Sequence, residues 1–411
     1  MKKHIKRHIS HALDRYASSF PAVLITGARQ TGKTTLLRNF KKEADTSISY
    51  ITFDDPAEQL SAVSDSKTFL QLHPTPVIFD EIQYVPQLFP YLKMAIDKDR
   101  HNGMFYVSGS QQFHLMENIS ESLAGRIGIL HLTPFSLRER FEDSFTSPFI
   151  PSRDFILQRK PSCKSLAPLD LWNIIQGGSF PEVCVSTIQS QDFYGSYVKT
   201  YIERDVRSLT QIGDELLFLK FVSVTAARTG QLVNYADIAR TTGISESTAK
   251  KWLSILVSSG LVFLLQPYSS NVEKRVVKTP KLYFMDTGLA AYLTKWHNSE
   301  VLMSGAMAGA YFETFVITEI LKSFYNNGIE PPVYFYRDKD KIEIDLLIED
   351  NGVLYPIEIK MTSSPAKKDA TAFSILQRIK SSNIAPGIII CTGSSLKSIA
   401  PDVLAVPVEY V

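Results

Sequence analysis

The stretch GARQTGKT, residues Gly27 to Thr34, stands between an apolar run, PAVLIT (21–26), and a segment, TLLRNF (35–40), with helical spacing. Its pattern, G-x-x-x-x-G-K-[ST], cradles phosphate when a strand leads into it and a helix leaves it. Ala22 to Thr26 is short, apolar and β-rich, and Thr35, Leu36, Leu37 and Phe40 recur as on a helix packed against a sheet. Gly27 and Gly32 allow the backbone to turn its N–H groups inward, and the helix N-terminus adds positive potential. The expected nucleotide-binding segment is therefore Gly27, Ala28, Arg29, Gln30, Thr31, Gly32, Lys33, Thr34 and Thr35. Lys33 reaches the β- and γ-phosphates of ATP in this reading, and Thr34 places its hydroxyl on Mg²⁺.

PVIFDEIQ, Pro76 to Gln83, is a buried-strand run that ends in two adjacent acids. Strand ends of this kind are where a doubly wound sheet holds its ligand. Asp80 is the candidate for the Mg²⁺ shell, and Glu81 the candidate to orient and activate an attacking water. Further strands are expected at SYITF, MFYVSG and IGILHL, with connectors long enough for helices. The fold class expected is α/β, a five-stranded parallel sheet covered on both faces. Ser110, just past the fourth strand, can touch the γ-phosphate or the attacking water, or can cap the next helix. Arg126 lies between a helix and the fifth strand.

The 411 residues are long for one core and suggest two or three domains. A net charge of +2 excludes a strong overall field, so any nucleic-acid contact must use local patches. Cys163, Cys184 and Cys391 are too few and scattered for a disulfide framework or zinc site, which suits the cytoplasm. No apolar run reaches membrane-spanning length, and MKKHIKRHISHALDRY reads as a basic helix without a signal-peptide core.

Boundaries are expected near residue 155, where Pro, Ser and charge interrupt the strands, and near 268. This division gives an ATPase module at 1–155, a helical region at 156–268 and an α/β domain at 269–411. NYADIARTTGISESTAKKWLSILVSSGLVFLL reads as helix, tight turn, helix and short strand, a winged-helix pattern. Ala249, Trp252, Leu253, Leu256 and Val257 form its buried face, with Ser245 as N-cap and Gly260 as stop. Ser247, Lys250 and Lys251 then face solvent or a DNA groove.

IEIDLLIEDNGVLYPIEIK reads as a hairpin turning at Asn351-Gly352. Two-residue closure makes every facing pair sum to about 703, so Asp345 faces Glu358 and Glu343 faces Lys360, with Cβ atoms roughly 4.5–5.5 Å apart. Carboxylates held face to face repel unless a divalent ion reverses the sign. The alternative is a solvated strand pair with cross-strand ion pairs. On the helix AYFETFVITEILKSF, Val316, Ile317, Ile320 and Phe324 surround Glu313, a carboxylate on an apolar stripe that needs a partner or a function.

GARQTGKTTLL, FDEIQ and GSQQFHLMENISESLAGR followed by LTPFS resemble the AAA+ ATPases, specifically the bacterial and archaeal group whose C-terminal part is a domain of unknown function. GGSFPEV, YIERDV, LYFMDTGLAAYL and EIDLLIE with PIEIK are similar to that group too, so the resemblance spans nearly the whole chain. It implies Ser110 as a sensor residue and Arg126 as an arginine finger reaching a neighbouring subunit in a homo-oligomer. Arg204 is a candidate second sensor or a surface ion pair. Asp345, Glu358 and Lys360 resemble the D…E-x-K constellation of the PD-(D/E)XK nuclease fold, in which the acids hold Mg²⁺, and Glu313 matches the Glu of its first helix. The functions in view are an Mg-ATP hydrolase engaging DNA or other nucleic acid, a slow switch docking protein partners, or an ATP-gated nuclease.

Overall fold

The computed structural model describes residues 4–43, 48–110, 122–202, 215–269, 279–378 and 383–411. Five strands build the first sheet: β1 (Ala22–Thr26), β2 (Ser49–Thr52), β3 (Val77–Asp80), β4 (Phe105–Gly109) and β5 (Ile127–His131). They lie in the order β2-β3-β4-β1-β5, all parallel. Strand residues alternate between faces, and β1 shows the consequence. Ala22 and Leu24 enter one core with Phe69, Phe89 and Leu92, whereas Val23 and Ile25 enter another with Ile9, Leu13 and Leu37.

Those core residues come from α1 (Ser10–Ala17) and α2 (Lys33–Glu43) on one face, and from α3 (Pro56–Ser64), α4 (Ser66–Leu72) and α5 (Phe89–Lys98) on the other. Leu37 is fully buried, and truncation to Ala would cost about 2–5 kcal/mol. The N-terminal expectation needs correction. Helix α1 begins only at Ser10, and Arg7 and His8 ahead of it bind Glu139. Tertiary partners there outweigh helix propensity.

After β5 comes α6 (Leu137–Arg140), a single turn closed by reciprocal capping between Ser136 and Glu139. The expected boundary stretch, residues 140 to 155, runs from the end of α6 into the next helix, and its middle, 143–152, contains no helix or strand but is not a loose linker. Phe149 is fully buried, and its N–H donates to Ser323 Oγ at 2.9 Å.

Helices α7 (Arg153–Arg159), α8 (Pro168–Gly177), α9 (Pro181–Val185), α10 (Ser190–Tyr197) and α11 (Glu215–Ala226) follow. Next are β6 (Gln231–Leu232), α12 (Tyr235–Thr242), α13 (Glu246–Ser258), β7 (Val262–Leu265) and β8 (Lys281–Phe284). Ser245 caps α13 by accepting from Thr248 N, and Gly260, at φ +71°, ends the turn that follows. The three strands form an antiparallel sheet in the order β6-β8-β7. A division at 268 would therefore cut that sheet, because its central strand is β8.

α14 (Thr287–Leu293), α15 (Ser299–Ser304) and α16 (Ala308–Tyr325) precede the last sheet. That sheet contains β9 (Val333–Arg337), β10 (Glu343–Asp350), β11 (Val353–Lys360), β12 (Asn383–Ile384), β13 (Gly387–Cys391), β14 (Lys397–Ala400) and β15 (Val403–Pro407). Its path is β14-β15-β13-β11-β10-β9, with β12 beside β11. Pairs from Leu346↔Ile357 to Asp350↔Val353 give the expected hairpin register, and Asn351 and Gly352 both have positive φ, as this tight turn requires. Pro356 lacks an N–H and falls in a gap: β12 pairs with Val353 and Leu354, while β13 pairs from Ile357 onward.

Candidate nucleotide site and carboxylate site

The phosphate loop leaves β1 at Gly27, whose φ is +143°. A Cβ there would lie 2.1 Å from the Leu132 carbonyl oxygen, so close backbone approach as well as the turn demands glycine. Lys33 opens α2 and is buried, with Nζ donating to Gly27 O and Ala28 O at 3.0 Å each. Burial pushes its pKa down to about 8, against the pull of Glu81 and Asp80 nearby.

Asp80 ends β3 and is almost fully buried. Its carboxylate accepts from Thr34 Oγ1 at 2.7 Å, from Tyr50 OH at 2.6 Å, and from Ser108 Oγ. Thr34 and Asp80 thus meet directly, as the pairing of one hydroxyl and one carboxylate on a single cation requires. Burial, together with the hydrogen bond to Asp80, pushes the Tyr50 phenol up to about 12, so it remains a donor. Ser108 and Tyr50 escaped the sequence reading. A serine inside the otherwise apolar stretch MFYV-S-G, on a strand that is wholly buried beside β3, was the available signal.

Glu81 has left-handed backbone, φ 58° and ψ 45°, uncommon for a side chain of its size. Its N–H donates to Ser108 Oγ at 3.1 Å, and its carboxylate accepts from Gln83. Ser110 follows β4 and is buried. Arg126 instead forks onto its own chain: Nε and Nη2 donate to Asp97 Oδ1 and Oδ2 at 2.7 and 3.1 Å. Arg204 lies outside the described residues.

Beside the loop is a cavity of about 320 Å³, the low end of the small-molecule range. Its lining includes Arg7, Thr31, Gly32, Thr35, Phe40 and Pro181. The turn at Gly260 also approaches the loop: a Cβ there would lie 3.4 Å from both Ala28 N and His131 Cε1. Burial, with Lys33 adding to it, pushes the His131 pKa down to about 4.

In the C-terminal sheet, Asp345 Oδ2 accepts from Ile359 N at 2.9 Å and from Lys360 Nζ at 3.1 Å. The same ammonium lies 2.6 Å from Glu358 Oε2. Glu358 is 3% exposed, and its Oε1 has no hydrogen-bond partner. Burial and then Asp345 raise its pKa to about 9. Burial opposes the charge on Lys360, but Asp345 and Glu358 outweigh it and hold the ammonium above its ordinary value.

Glu313 is engaged elsewhere, accepting from Tyr283 OH at 2.6 Å and Lys281 Nζ at 3.2 Å. Burial raises its pKa, and Asp345 adds to the rise against Lys281. Glu343 pairs with Lys281 at 2.5 Å and Arg337 at 3.2 Å. Asp345, Glu358 and Lys360 therefore converge, whereas Glu313 sits one ion pair away. Among the described residues no group of three or more His, Cys, Asp and Glu side chains is arranged to hold a metal. Lys281 from β8 pairs with both Glu313 and Glu343.

With this geometry in view, the N-terminal part has a P-loop AAA-like fold, and its residues 19–141 match the AAA domain family, AAA_14. Residues 169–300 and 308–411 match two domains of unknown function, DUF8612 and DUF4143. Uncharacterized proteins of Mycobacterium tuberculosis and Mycobacterium bovis are each 28% identical over 99% of this chain and 84% of their own length. Among solved structures, the Walker-type ATPase of Pyrococcus abyssi has a TM-score of 0.44 at 16% identity, over 69% of this chain and 94% of that one. The RuvB Holliday junction branch migration motor of Thermotoga maritima has a TM-score of 0.29 at 16% identity, over 62% and 86%. AMPPCP-bound DnaA from Aquifex aeolicus has 0.28 at 12%, over 71% and 92%. The order of the five strands, and not these distant likenesses, carries the fold. No described helix is long and apolar enough to cross a membrane.

Proposed function

We propose that this chain binds and hydrolyses Mg-ATP at the phosphate loop, and that its nucleotide state sets how the C-terminal domains engage nucleic acid. The contact of Thr34 with Asp80, at the mouth of a loop closed by Lys33, carries the reading. Thr34 and Asp80 would hold Mg²⁺, which supplies charge neutralisation on the phosphates. Lys33 binds the β- and γ-phosphates, Glu81 takes the water's proton, and Ser110 orients the γ-phosphate or that water. Arg126 serves a neighbouring copy's nucleotide in a homo-oligomer. The 320 Å³ cavity takes the base. Ser247, Lys250 and Lys251 on the exposed side of α13 support a winged-helix contact with DNA, although Lys250 is partly neutralised by Glu246 at 3.2 Å.

A second reading rests on Glu358. Its buried, unpartnered oxygen beside Asp345 fits a divalent ion held by these two carboxylates, with Lys360 toward a phosphate, as in an ATP-gated nuclease. The deciding experiment measures ATP turnover with and without single-stranded DNA, duplex DNA and RNA, in wild type, Lys33→Ala and Glu81→Gln. Glu81→Gln should retain a thermal shift with Mg-ATP, about 2.7 kcal/mol at one hundred times the dissociation constant, and lose turnover. Lys33→Ala should lose both. Unchanged turnover in both variants sinks the ATPase; indifference to every nucleic acid favours a switch that docks proteins.

A further inference from the structure

A phosphate loop turns its N–H groups toward the ligand and its carbonyl oxygens back into the protein, where each buried oxygen needs a donor. In this chain the donors can be followed one by one. Gly27 O and Ala28 O accept from Lys33 Nζ at 3.0 Å, and Ala28 O also accepts from Thr31 Oγ1 at 2.8 Å. Gly32 O accepts from Leu36 N at 2.9 Å, the first bond of α2. Thr31 O accepts from outside the loop, from Arg7 Nη1 at 2.8 Å. Arg7 is 7% exposed, and its remaining bonds fix it on two sides. Nη2 donates to Thr133 O at 2.7 Å, Nε donates to Glu139 Oε1 at 3.0 Å, and the guanidinium lies 4.8 Å from the Phe135 ring centroid.

We propose that Arg7 is a positioning residue that holds the phosphate loop in its nucleotide-binding shape. The inference rests on the ATP reading given above. When Lys33 turns to the phosphates, its ammonium leaves Gly27 O and Ala28 O. The side-chain donors named above that still hold the loop are then Thr31 Oγ1 and Arg7. Arg7 therefore contributes more to the bound loop than to the free one, and its loss is felt in nucleotide affinity more than in folding. Only a planar fork suits the task, because three acceptors lie in three directions around one guanidinium. Arg7 also lines the cavity proposed for the base but touches neither the phosphates nor the attacking water in this scheme, so the rate at saturation is affected less, and inorganic triphosphate, which carries no base, should lose affinity in the variants by a similar factor.

The test uses the full chain, with Mg²⁺ and a non-hydrolysable ATP analogue in a calorimeter. Arg7→Gln alone would strand the buried Glu139, so the main variant is Arg7→Gln with Glu139→Gln, which removes both charges. A second variant, Arg7→Lys, keeps the charge beside Glu139 and loses the fork. The double variant should melt cooperatively and bind the analogue on the order of tenfold more weakly. In turnover, KM should rise by a similar factor while kcat changes less than about threefold. Arg7→Lys should recover part of the affinity. Wild-type affinity in Arg7→Lys, or in the folded double variant, overturns the assignment. Failure of the wild-type chain to bind the analogue overturns the ATP reading itself, and Arg7's role with it.

Discussion

Raising the pH should weaken nucleotide binding through Lys33. In the ligand-free chain burial holds this ammonium near a pKa of about 8, while an unfolded lysine titrates near 10.5. Phosphate beside the amine returns it to the charged form, so binding above pH 8 must take up a proton. With a free pKa of about 8 and a bound value at or above the ordinary one, affinity at pH 9.5 should be roughly 20- to 25-fold below its value at pH 7.5, about 2 kcal/mol. The stability of the ligand-free protein moves the other way. Below pH 8 the folded and unfolded lysines are both charged; between 8 and 10.5 the unfolded chain binds more protons, so stability rises with pH there. Calorimetry at pH 7.5, 8.5 and 9.5, in buffers of different ionisation enthalpy, measures both affinity and proton uptake. Constant affinity with no uptake at pH 9.5 would refute the reasoning.

Three further outcomes follow from particular contacts. If Arg126 acts in trans, inactive Arg126→Ala and inactive Glu81→Gln should regain turnover when mixed, because the pairing with Asp97 is solvent-screened and can be given up. No complementation, with activity independent of concentration, would leave Arg126 structural. Gly27→Ala should abolish nucleotide binding, since its Cβ would overlap the Leu132 carbonyl at 2.1 Å; a wild-type thermal shift would contradict this. Mn²⁺ should raise the melting temperature of the full chain through Glu358 and Asp345, and Asp345→Ala should remove the gain that is insensitive to Lys33→Ala.

The parallel sheet and the hairpin were legible because each depends on short periodic signals. Alternation places Val23 and Leu24 on opposite faces, and one Asn-Gly turn sets the register of the pairs from Asp350↔Val353 to Leu346↔Ile357. Contacts between distant segments left no such trace. Tyr50, Ser108 and Thr34 meet at Asp80 only because three strands and a helix end come together there. Lys281 reaches Glu313 and Glu343 only because β8 joins a sheet that the sequence reading divided. Arg7 reads as one more charge on a basic helix until tertiary structure brings Thr31, Thr133 and Glu139 around it.

The two candidate sites share one rigid element, and this sets a reciprocal test. Glu139 binds Arg7 and closes α6, whose Leu137 N–H donates to Glu319 Oε2 at 2.6 Å. Glu319 and Lys322 sit on α16 and are bound to one another at 2.7 Å, with Lys322 also donating to Phe135 O and Ser179 Oγ. Glu313 stands on the same helix, six residues before Glu319, about 9 Å away along its axis and on a different face. A shift of α16 at its ATPase side would therefore move Glu313 against Lys281, and with it the field at Asp345 and Glu358. A static arrangement carries coupling only if each ligand binds one position of the helix better than another. If α16 has two such positions, ATP must change Mn²⁺ affinity by the factor by which Mn²⁺ changes ATP affinity, typically 5- to 150-fold or about 1–3 kcal/mol. Titrating each ligand at saturating and at zero concentration of the other, in Glu81→Gln to prevent turnover and Lys33→Ala to separate the two metal sites, measures both factors. Equal factors above unity make α16 a linkage; factors of one leave it a scaffold that holds two independent sites.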